Sequence, residues 1–180
     1  MKLETLLQTL ESGGVIRFHA CTKMRKQSLS DHQWKVALIA EYLLSTLSKA
    51  GLMHALTHDR LELVTGDIPA TLKWEHPEIK EFLNRIEACY ENSYQLSPLE
   101  KIAIKMADIL EGMLFCKESY EDGCKDARNI FSRWINYLFE YRANPNTKDI
   151  LLRSGDEGEI LLERLSLLID ECIPAMTGAR

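Results

Sequence analysis

The chain of 180 residues is 46% hydrophobic and 27% charged, which is ordinary for a soluble protein that buries a core. Its formal net charge of −5 argues against nonspecific nucleic-acid binding, because neutralising phosphates needs a basic face. Five cysteines, an odd number without a Cys-x-x-Cys pair, favour reduced thiols. No apolar run approaches the roughly 20 residues of a membrane span, and the polar N-terminus is unlike a signal peptide. We therefore expect a single domain, residues 1–180, in the cytoplasm.

Apolar residues recur at helical spacing along most of the chain, and no segment convincingly predicts a strand. The first helix is predicted from Leu3 to Leu10. We expect Ser30 to cap a second helix that Gly51 ends, and a third helix to run from Leu52 to about Val64. The later predicted helices cover, in order, Glu78 to about Tyr94, Pro98 to about Phe115, Asp122 to Tyr141, and Ile150 to Cys172 with an interruption near Gly155 to Gly158. The fold class is therefore all-α.

The stretch from Val15 to Ser30 lacks a sustained period and is the most basic part of this acidic chain. One interpretation is a solvated loop. The other is an anion-binding segment, which its position just before His32 favours. The candidate anion contacts in this stretch are Arg17, Lys23, Arg25 and Lys26.

The segment HDRLELVTGD, from His58 to Asp67, places an imidazole directly beside a carboxylate. His32 lies upstream in the first turn of a predicted helix, and Asp108 lies downstream. Two imidazoles and two carboxylates suit zinc, manganese or cobalt, whereas a structural zinc site would more often use thiolates. His54, one helical turn before His58, is interpreted as a packing or supporting residue rather than a ligand.

Asp108 falls inside the strongly apolar run KMADILEGMLF. Burying an unpaired carboxylate is expensive, so this side chain needs a metal or a cationic partner. An ion pair with Lys105 or Lys101 is the alternative to a metal. The chain has no phosphate-binding Gly-rich loop, no dinucleotide fingerprint and no His-Glu-x-x-His, which leaves metal-assisted hydrolysis as the favoured chemistry.

With these residues in place, the chain resembles the HD-domain metal-dependent phosphohydrolases, an all-helical superfamily, and within it the YfbR-like 5'-deoxynucleotidases. The matching blocks are SDHQWKVALIAEYL, HDRLELVTGDIPATLK and KMADILEGMLFC. The resemblance implies one helical bundle, with a metal-site core at about 15–116 and C-terminal helices at about 122–173. Those last helices complete the bundle or form the interface of a homo-oligomer.

The resemblance also implies roles for individual residues. The metal ligands are His32, His58, Asp59 and Asp108, which would hold zinc, cobalt or manganese, with magnesium as a further candidate. The catalytic residues are Glu62, as the carboxylate that takes a proton from water, and Asp67 near the sugar. Arg17 and Phe18 stand where the family has Arg-Trp, which implies a phosphate contact and a ring packed on the sugar or base.

The early pattern ESGGVIRFH is similar to that of dATP triphosphohydrolases from phages that replace adenine with 2-aminoadenine. This finer resemblance implies conversion of dATP to deoxyadenosine and triphosphate, in the host cytoplasm if a phage encodes the chain. One alternative is a 5'-deoxynucleotidase acting on deoxynucleoside monophosphates. An alternative of another class is a non-catalytic HD-type module that binds nucleotides or has a regulatory role. The expected partner is a small deoxynucleotide, with neither nucleic acid nor membrane.

Overall fold

The computed structural model describes residues 3–21, 23–89 and 94–177. Helices dominate these residues and confirm the all-α prediction. Their bounds are α1 Leu3–Ser12, α2 Leu29–Leu43, α3 Lys49–Ala55, α4 Glu62–Thr65, α5 Ala70–Glu75, α6 Pro77–Cys89, α7 Pro98–Glu121, α8 Ala127–Ala143, α9 Pro145–Arg153 and α10 Asp156–Thr177. The predicted helix end near Tyr94 follows residues 90–93, which lie outside the described part of the chain. None of the described helices is both long enough and apolar enough to cross a membrane.

Two short strands lie between α1 and α2, so the expectation of no strand is wrong. Strand β1 (Ile16–Arg17) pairs antiparallel with β2 (Gln27–Ser28), and Arg17 stands opposite Gln27. Strands of two residues are too short for an alternating pattern to show in the sequence. The pairing forms an arm directly before α2, and we call its described residues, 16–21 and 23–28, the β arm.

The N-cap of α2 lies two residues earlier than predicted. Ser28, not Ser30, is the N-cap, and its hydroxyl accepts the backbone N–H of Asp31 at 3.2 Å. The helix therefore begins at Leu29, and His32 falls in its first turns with its ring fully buried. The β arm and the first metal-ligand candidate are thus fixed to each other through the cap.

Gly51 does not end α2, which stops at Leu43; it lies inside α3. A Cβ atom at Gly51 would lie 2.6 Å from Leu47 Cδ1 and 2.9 Å from Glu100 Oε1. The glycine therefore serves close packing of α3 beside the start of α7, rather than a helix stop.

The single helix predicted from Leu52 to Val64 is also wrong. Helix α3 ends at Ala55, turns occupy residues 56–61, and α4 begins at Glu62. His58 Nδ1 lies 2.9 Å from the Ala55 carbonyl oxygen, which holds the ring against the end of α3. His58 and Asp59 consequently lie in a turn, so the 100° offset of neighbours on a helix does not separate their side chains.

Helix α7 is the central element. It opens with a capping box in which Ser97 and Glu100 exchange hydrogen bonds, as the Ser-Pro-x-Glu start predicts, and it continues to Glu121, beyond the predicted end. Helices α2, α8 and α10 pack on it. Gly112 brings α7 close to α8, since a Cβ there would lie 3.1 Å from the Trp134 ring.

The C-terminal helices bury most of the predicted apolar stripe. Leu161, Leu165 and Ile169 of α10 join the same core as α2 and α7, whereas Leu167 is 54% exposed. The predicted break at Asn144-Pro145 is confirmed, and α10 begins before Gly158, which shortens the predicted interruption. The organisation as one domain over residues 1–180 stays a prediction.

Candidate active site

Two imidazoles and two carboxylates meet between α2, the turn after α3, and α7. His32 Nε2 lies 3.4 Å from Asp59 Oδ2 and 3.5 Å from Asp108 Oδ1. His58 Nε2 lies 3.4 Å from Asp59 Oδ2 and 3.9 Å from Asp108 Oδ1. We call these four residues the His–Asp cluster. The structure thus brings together four side chains that the sequence spreads from position 32 to position 108.

The His–Asp cluster fits a divalent metal. The Nε2 atoms of His32 and His58 are buried and have no hydrogen-bond partner, a costly state for polar atoms unless a ligand receives their lone pairs. Donor atoms about 2.0–2.2 Å from a tetrahedral zinc ion lie roughly 3.3–3.6 Å from one another, close to the observed spacings. Ligand atoms of His32, His58 and Asp59 all lie within 4.8 Å of one another. The nitrogen and oxygen donors suit zinc, cobalt or manganese.

Asp108 also forms the ion pair that the sequence left open. Its Oδ2 accepts a hydrogen bond from Lys105 Nζ at 2.8 Å, one turn earlier on α7. That contact uses one oxygen, while Oδ1 faces both imidazoles. Burial raises the pKa of Asp108, but Lys105 and His58 outweigh it and hold this pKa well below its usual range. The ion pair and a metal site are therefore compatible.

In the metal-free protein the cluster holds a proton. Burial alone would lower the pKa of His58, but the carboxylates of Asp59 and Asp108 raise it to about 9. The same attraction, chiefly to His58, outweighs burial and lowers the pKa of Asp59. At neutral pH, His58 therefore carries a proton that a metal must displace.

We expect metal binding at pH 7.5 to release about one proton, because a metal-bound imidazole nitrogen cannot keep its proton. Below pH 9, each unit by which the pH falls should weaken the apparent metal affinity about tenfold. Above pH 9 the affinity should level off. Titration calorimetry in buffers of different ionisation enthalpy measures the proton count. Binding without proton release would contradict a protonated His58 in the metal-free state.

Glu62 lies at the start of α4, three residues after Asp59. Its side chain is buried, and Oε2 has no hydrogen-bond partner. Burial, followed by repulsion from Asp59, raises the pKa of Glu62 to about 8, although Arg17 opposes the shift. A carboxylate with a pKa near the working pH is suited to accept a proton from water.

Arg17 and Phe18 enter the site from the β arm. Burial lowers the pKa of Arg17, but the surrounding carboxylates, Asp59 and Glu111 first among them, keep it above its ordinary value. The Phe18 ring stacks on Phe115 at a centroid distance of 4.7 Å. Asp67 accepts the Phe18 backbone N–H at 2.8 Å, where φ of Phe18 is 57°. In this structure Asp67 holds the β arm.

The site opens into a cleft of about 1390 Å³, above the range of roughly 300–1,000 Å³ usual for small-molecule pockets. The cleft is lined by Arg17, Phe18, Glu62, Asp67 and three of the four cluster residues. His54 also lines it, 6.5 Å from His58 between ring centres. The cationic side chains of the wall beyond the β arm are Lys73, Lys80, Lys101, Lys105 and Arg133.

The other basic residues of the β arm are not among those that line the cleft. Arg25 pairs with Glu118 and Asp122 on the surface, at 3.7 and 3.3 Å. Lys23 is exposed and lies 3.3 Å from Asp126, which is at the cleft rim, and Lys26 is exposed. The structure therefore brings Arg17 of this segment, but not Lys23, Arg25 or Lys26, to the cleft.

Glu111 is a further residue of the site, which was not predicted from the sequence. This carboxylate is 1% exposed, and its Oε2 lies 2.6 Å from His32 Nδ1. The signal was available, because Glu111 follows Asp108 by three residues and shares its helix face. Burying a second unpaired carboxylate in an apolar helix costs as much free energy as burying the first, so Glu111 also needs a partner.

The family comparison supports a phosphohydrolase. A family model described as 5'-deoxynucleotidase YfbR-like matches residues 5–147. A 5'-deoxynucleotidase of Pasteurella multocida (strain Pm70) is 26% identical over 145 residues, which cover 65% of this chain and 74% of that protein. A 5'-deoxynucleotidase of Vibrio vulnificus (strain YJ016) is 27% identical over 178 residues, with coverages of 83% and 91%.

A solved structure shares the fold. The HD phosphohydrolase (DatZ) of cyanophage S-2L, bound to dA and one catalytic Zn²⁺ ion, matches with a TM-score of 0.64 at 20% sequence identity. The match covers 92% of this chain and 96% of that chain. At this identity the likeness is one of fold, which is the HD phosphohydrolase fold.

Proposed function

This chain belongs to the 5'-deoxynucleotidase YfbR-like family, and from that premise we propose that it hydrolyses the O5′–phosphate ester of deoxynucleotides, with dATP as its best substrate. The observation that carries the proposal is the His–Asp cluster, whose two imidazole nitrogens are buried and unpartnered beside two carboxylates. The cluster lies at a cleft large enough for a nucleotide.

Different groups of the site would perform different parts of the reaction. A divalent ion held by the His–Asp cluster would supply a water of lowered pKa and polarise a phosphoryl oxygen. Glu62, buried with one unpartnered oxygen, would accept the proton of the water that attacks the α-phosphorus. Arg17 neutralises charge on the phosphoryl oxygens, and Phe18 borders the space for the sugar. The bond from phosphorus to O5′ would break and O5′ would take up a proton, so the products are a deoxynucleoside and phosphate or triphosphate.

The cationic wall supports a triphosphate substrate. Lys105 lines the cleft but is paired with Asp108, whereas Lys73, Lys80 and Lys101 line it together with Arg17, although the chain as a whole has a formal charge of −5. A chain of three phosphates offers these cations more negative charge than a single phosphate does. Support for adenine comes from the solved phage relative, whose bound nucleoside is dA.

Two alternatives remain. The curated relatives are named 5'-deoxynucleotidases, which favours monophosphate substrates. Hydrolysis of a monophosphate would use the same cluster and Glu62, with phosphate as the second product. A non-catalytic nucleotide-binding module is the alternative of another class, and the complete His–Asp cluster argues against it.

Product analysis separates these functions. The purified protein is incubated with all four deoxynucleoside mono- and triphosphates and with Zn²⁺, Co²⁺ or Mn²⁺, and the products are resolved by chromatography. We expect deoxyadenosine and triphosphate from dATP, with no product from an Asp108→Ala control. Phosphate and nucleosides from several monophosphates would replace this proposal with the 5'-deoxynucleotidase. No product with any metal would favour the binding module.

We also propose that the chain forms a homo-oligomer. Its interface would lie on α2, and less on the C-terminal helices than the sequence implied. Helix α2 exposes Trp34, Leu38 and Tyr42, which follow one another at intervals of four residues on one face. Burial of these side chains against a second copy would stabilise a dimer. Sedimentation equilibrium of the parent and of Leu38→Glu tests this, and an unchanged monomer in both would contradict it.

A further inference from the structure

Glu111 is a buried carboxylate that the proposed reaction does not use. It lies on α7, is 1% exposed, and receives three positive or hydrogen-bonding groups. Its Oε1 accepts a hydrogen bond from Gln27 Nε2 at 2.6 Å. Its Oε2 lies 2.6 Å from His32 Nδ1 and 3.6 Å from Arg17 Nη1. One side chain thus contacts α2 and both strands of the β arm.

The contact with His32 selects which ring nitrogen faces the cluster. A carboxylate acceptor beside Nδ1 is satisfied when Nδ1 carries the hydrogen. Nε2 then presents its lone pair to Asp59 and Asp108, the side of the ring on which a metal would be held. The 2.6 Å contact also fixes the plane of a ring that has no solvent-exposed surface.

The contact with Arg17 restrains the group that would meet phosphate. Arg17 is 7% exposed, and its Nε and Nη1 have no hydrogen-bond partner. Glu111 Oε2 is a carboxylate oxygen within ion-pair distance of this guanidinium. Gln27 stands opposite Arg17 in the β arm, and its bond to Glu111 ties the arm to α7. The remaining donors of Arg17 stay available for an anionic ligand.

We propose that Glu111 is a positioning residue that holds His32 for metal ligation and Arg17 for phosphate binding through one shared carboxylate. The proposal has two halves. The phosphate half, in which Glu111 positions Arg17, rests on the proposed function, whereas the metal half, in which Glu111 positions His32, concerns the His–Asp cluster alone. A change at Glu111 should therefore weaken two properties that ordinarily belong to separate residues.

The test uses Glu111→Gln in the full chain. Glutamine keeps the shape but has an NH₂ donor in place of one oxygen, so it cannot offer separate acceptor oxygens to His32 and Gln27 as Glu111 does, and it loses the charge beside Arg17. Glu118→Gln is the matched control, since Glu118 lies seven residues later on α7 and pairs with Arg25 on the surface. Circular dichroism and thermal unfolding without metal confirm that each variant folds.

Metal affinity is measured by competition with a chromophoric chelator, and the ligand field by the visible spectrum of the Co²⁺-loaded protein. We expect Glu111→Gln to bind Zn²⁺ about 10–100-fold more weakly and to shift the Co²⁺ bands, while Glu118→Gln matches the parent. These readouts need no turnover, so they decide the metal half even if the protein hydrolyses no nucleotide. Parental affinity and spectrum in Glu111→Gln would overturn it.

The phosphate half is read from kinetics at saturating metal. We expect KM for the nucleotide to rise in Glu111→Gln in addition to any fall in kcat, because Arg17 is less restrained. An unchanged KM with weaker metal binding would overturn the Arg17 half and leave Glu111 as a positioning residue for His32 alone. Glu118→Gln should change neither constant.

A second variant and a measurement on the parent keep the proposal falsifiable if Glu111→Gln does not fold. Glu111→Asp keeps the charge but is shorter by one methylene, so we expect weaker metal binding there too. In the zinc-loaded parent, long-range ¹H–¹⁵N spectra should show His32 protonated at Nδ1. Protonation at Nε2 instead, or parental affinity in Glu111→Asp, would overturn the proposal.

Discussion

Asp108→Ala is expected to abolish metal binding and hydrolysis together while leaving the helices in place. Asp108 Oδ1 faces both imidazoles of the His–Asp cluster, at 3.5 and 3.9 Å, so its removal opens one side of the ligand set. Loss of the metal removes several kcal/mol of transition-state stabilisation, which corresponds to a fall in kcat/KM of at least about 10³-fold. Lys105 would lose its partner, but its side chain is 38% exposed and can be solvated.

Elemental analysis gives the metal content of this variant, chromatography of the products gives its activity, and circular dichroism gives its helicity. Glu118→Ala is the control on the same helix, because Glu118 makes only surface ion pairs with Arg25 and Lys35. A folded Asp108→Ala protein that hydrolyses nucleotides at the parental rate would refute the proposed ligand set.

Glu62→Gln separates the acid–base step from metal binding. Glutamine has the shape of glutamate but cannot accept a proton from water, so we expect normal metal content and a kcat lower by about 10²–10⁴-fold. The control is Glu41→Gln, an exposed glutamate of α2, which should match the parent. Undiminished turnover in Glu62→Gln would exclude Glu62 as the base.

The pH dependence adds a second readout for Glu62. Its pKa is raised to about 8 without metal, and a bound cation favours the charged carboxylate and lowers that value. In the loaded enzyme, kcat/KM should therefore rise with pH and reach its plateau at or below about pH 8, as Glu62 loses its proton. The Glu62→Gln variant should lack this rising limb.

The His–Asp cluster was predictable because histidine and aspartate are typical metal ligands, and because the sequence blocks that contain them resemble those of the family. The local backbone around it was not. Leu56, Leu61 and Val64 continue the helical spacing of α3, so the sequence suggests a helix where the structure has turns at residues 56–61. Tertiary contacts decide this segment, among them the one between His58 and the Ala55 carbonyl.

The electrostatics of the cleft depend on contacts between distant parts of the chain. The basic density of residues 23–26 suggested an anion site, but Arg25 faces Glu118 and Asp122 and Lys23 faces Asp126, about 100 positions away. Apart from Arg17, the cations that line the cleft lie on α5, α6, α7 and α8, so no local run of charge marks them. Their convergence is a property of the fold.

Phe18 has a consequence for the motion of the cleft wall. A non-glycine residue in the left-handed region costs about 1–2 kcal/mol, and here the Asp67 carboxylate and the Phe115 ring hold it there. When the β arm detaches, Phe18 can leave the left-handed region, and this conformational free energy is regained. The arm therefore opens at a lower free energy than the helices behind it. The amide of Phe18 should therefore exchange its hydrogen faster than buried amides of α7, and a nucleotide that fills the cleft should slow that exchange.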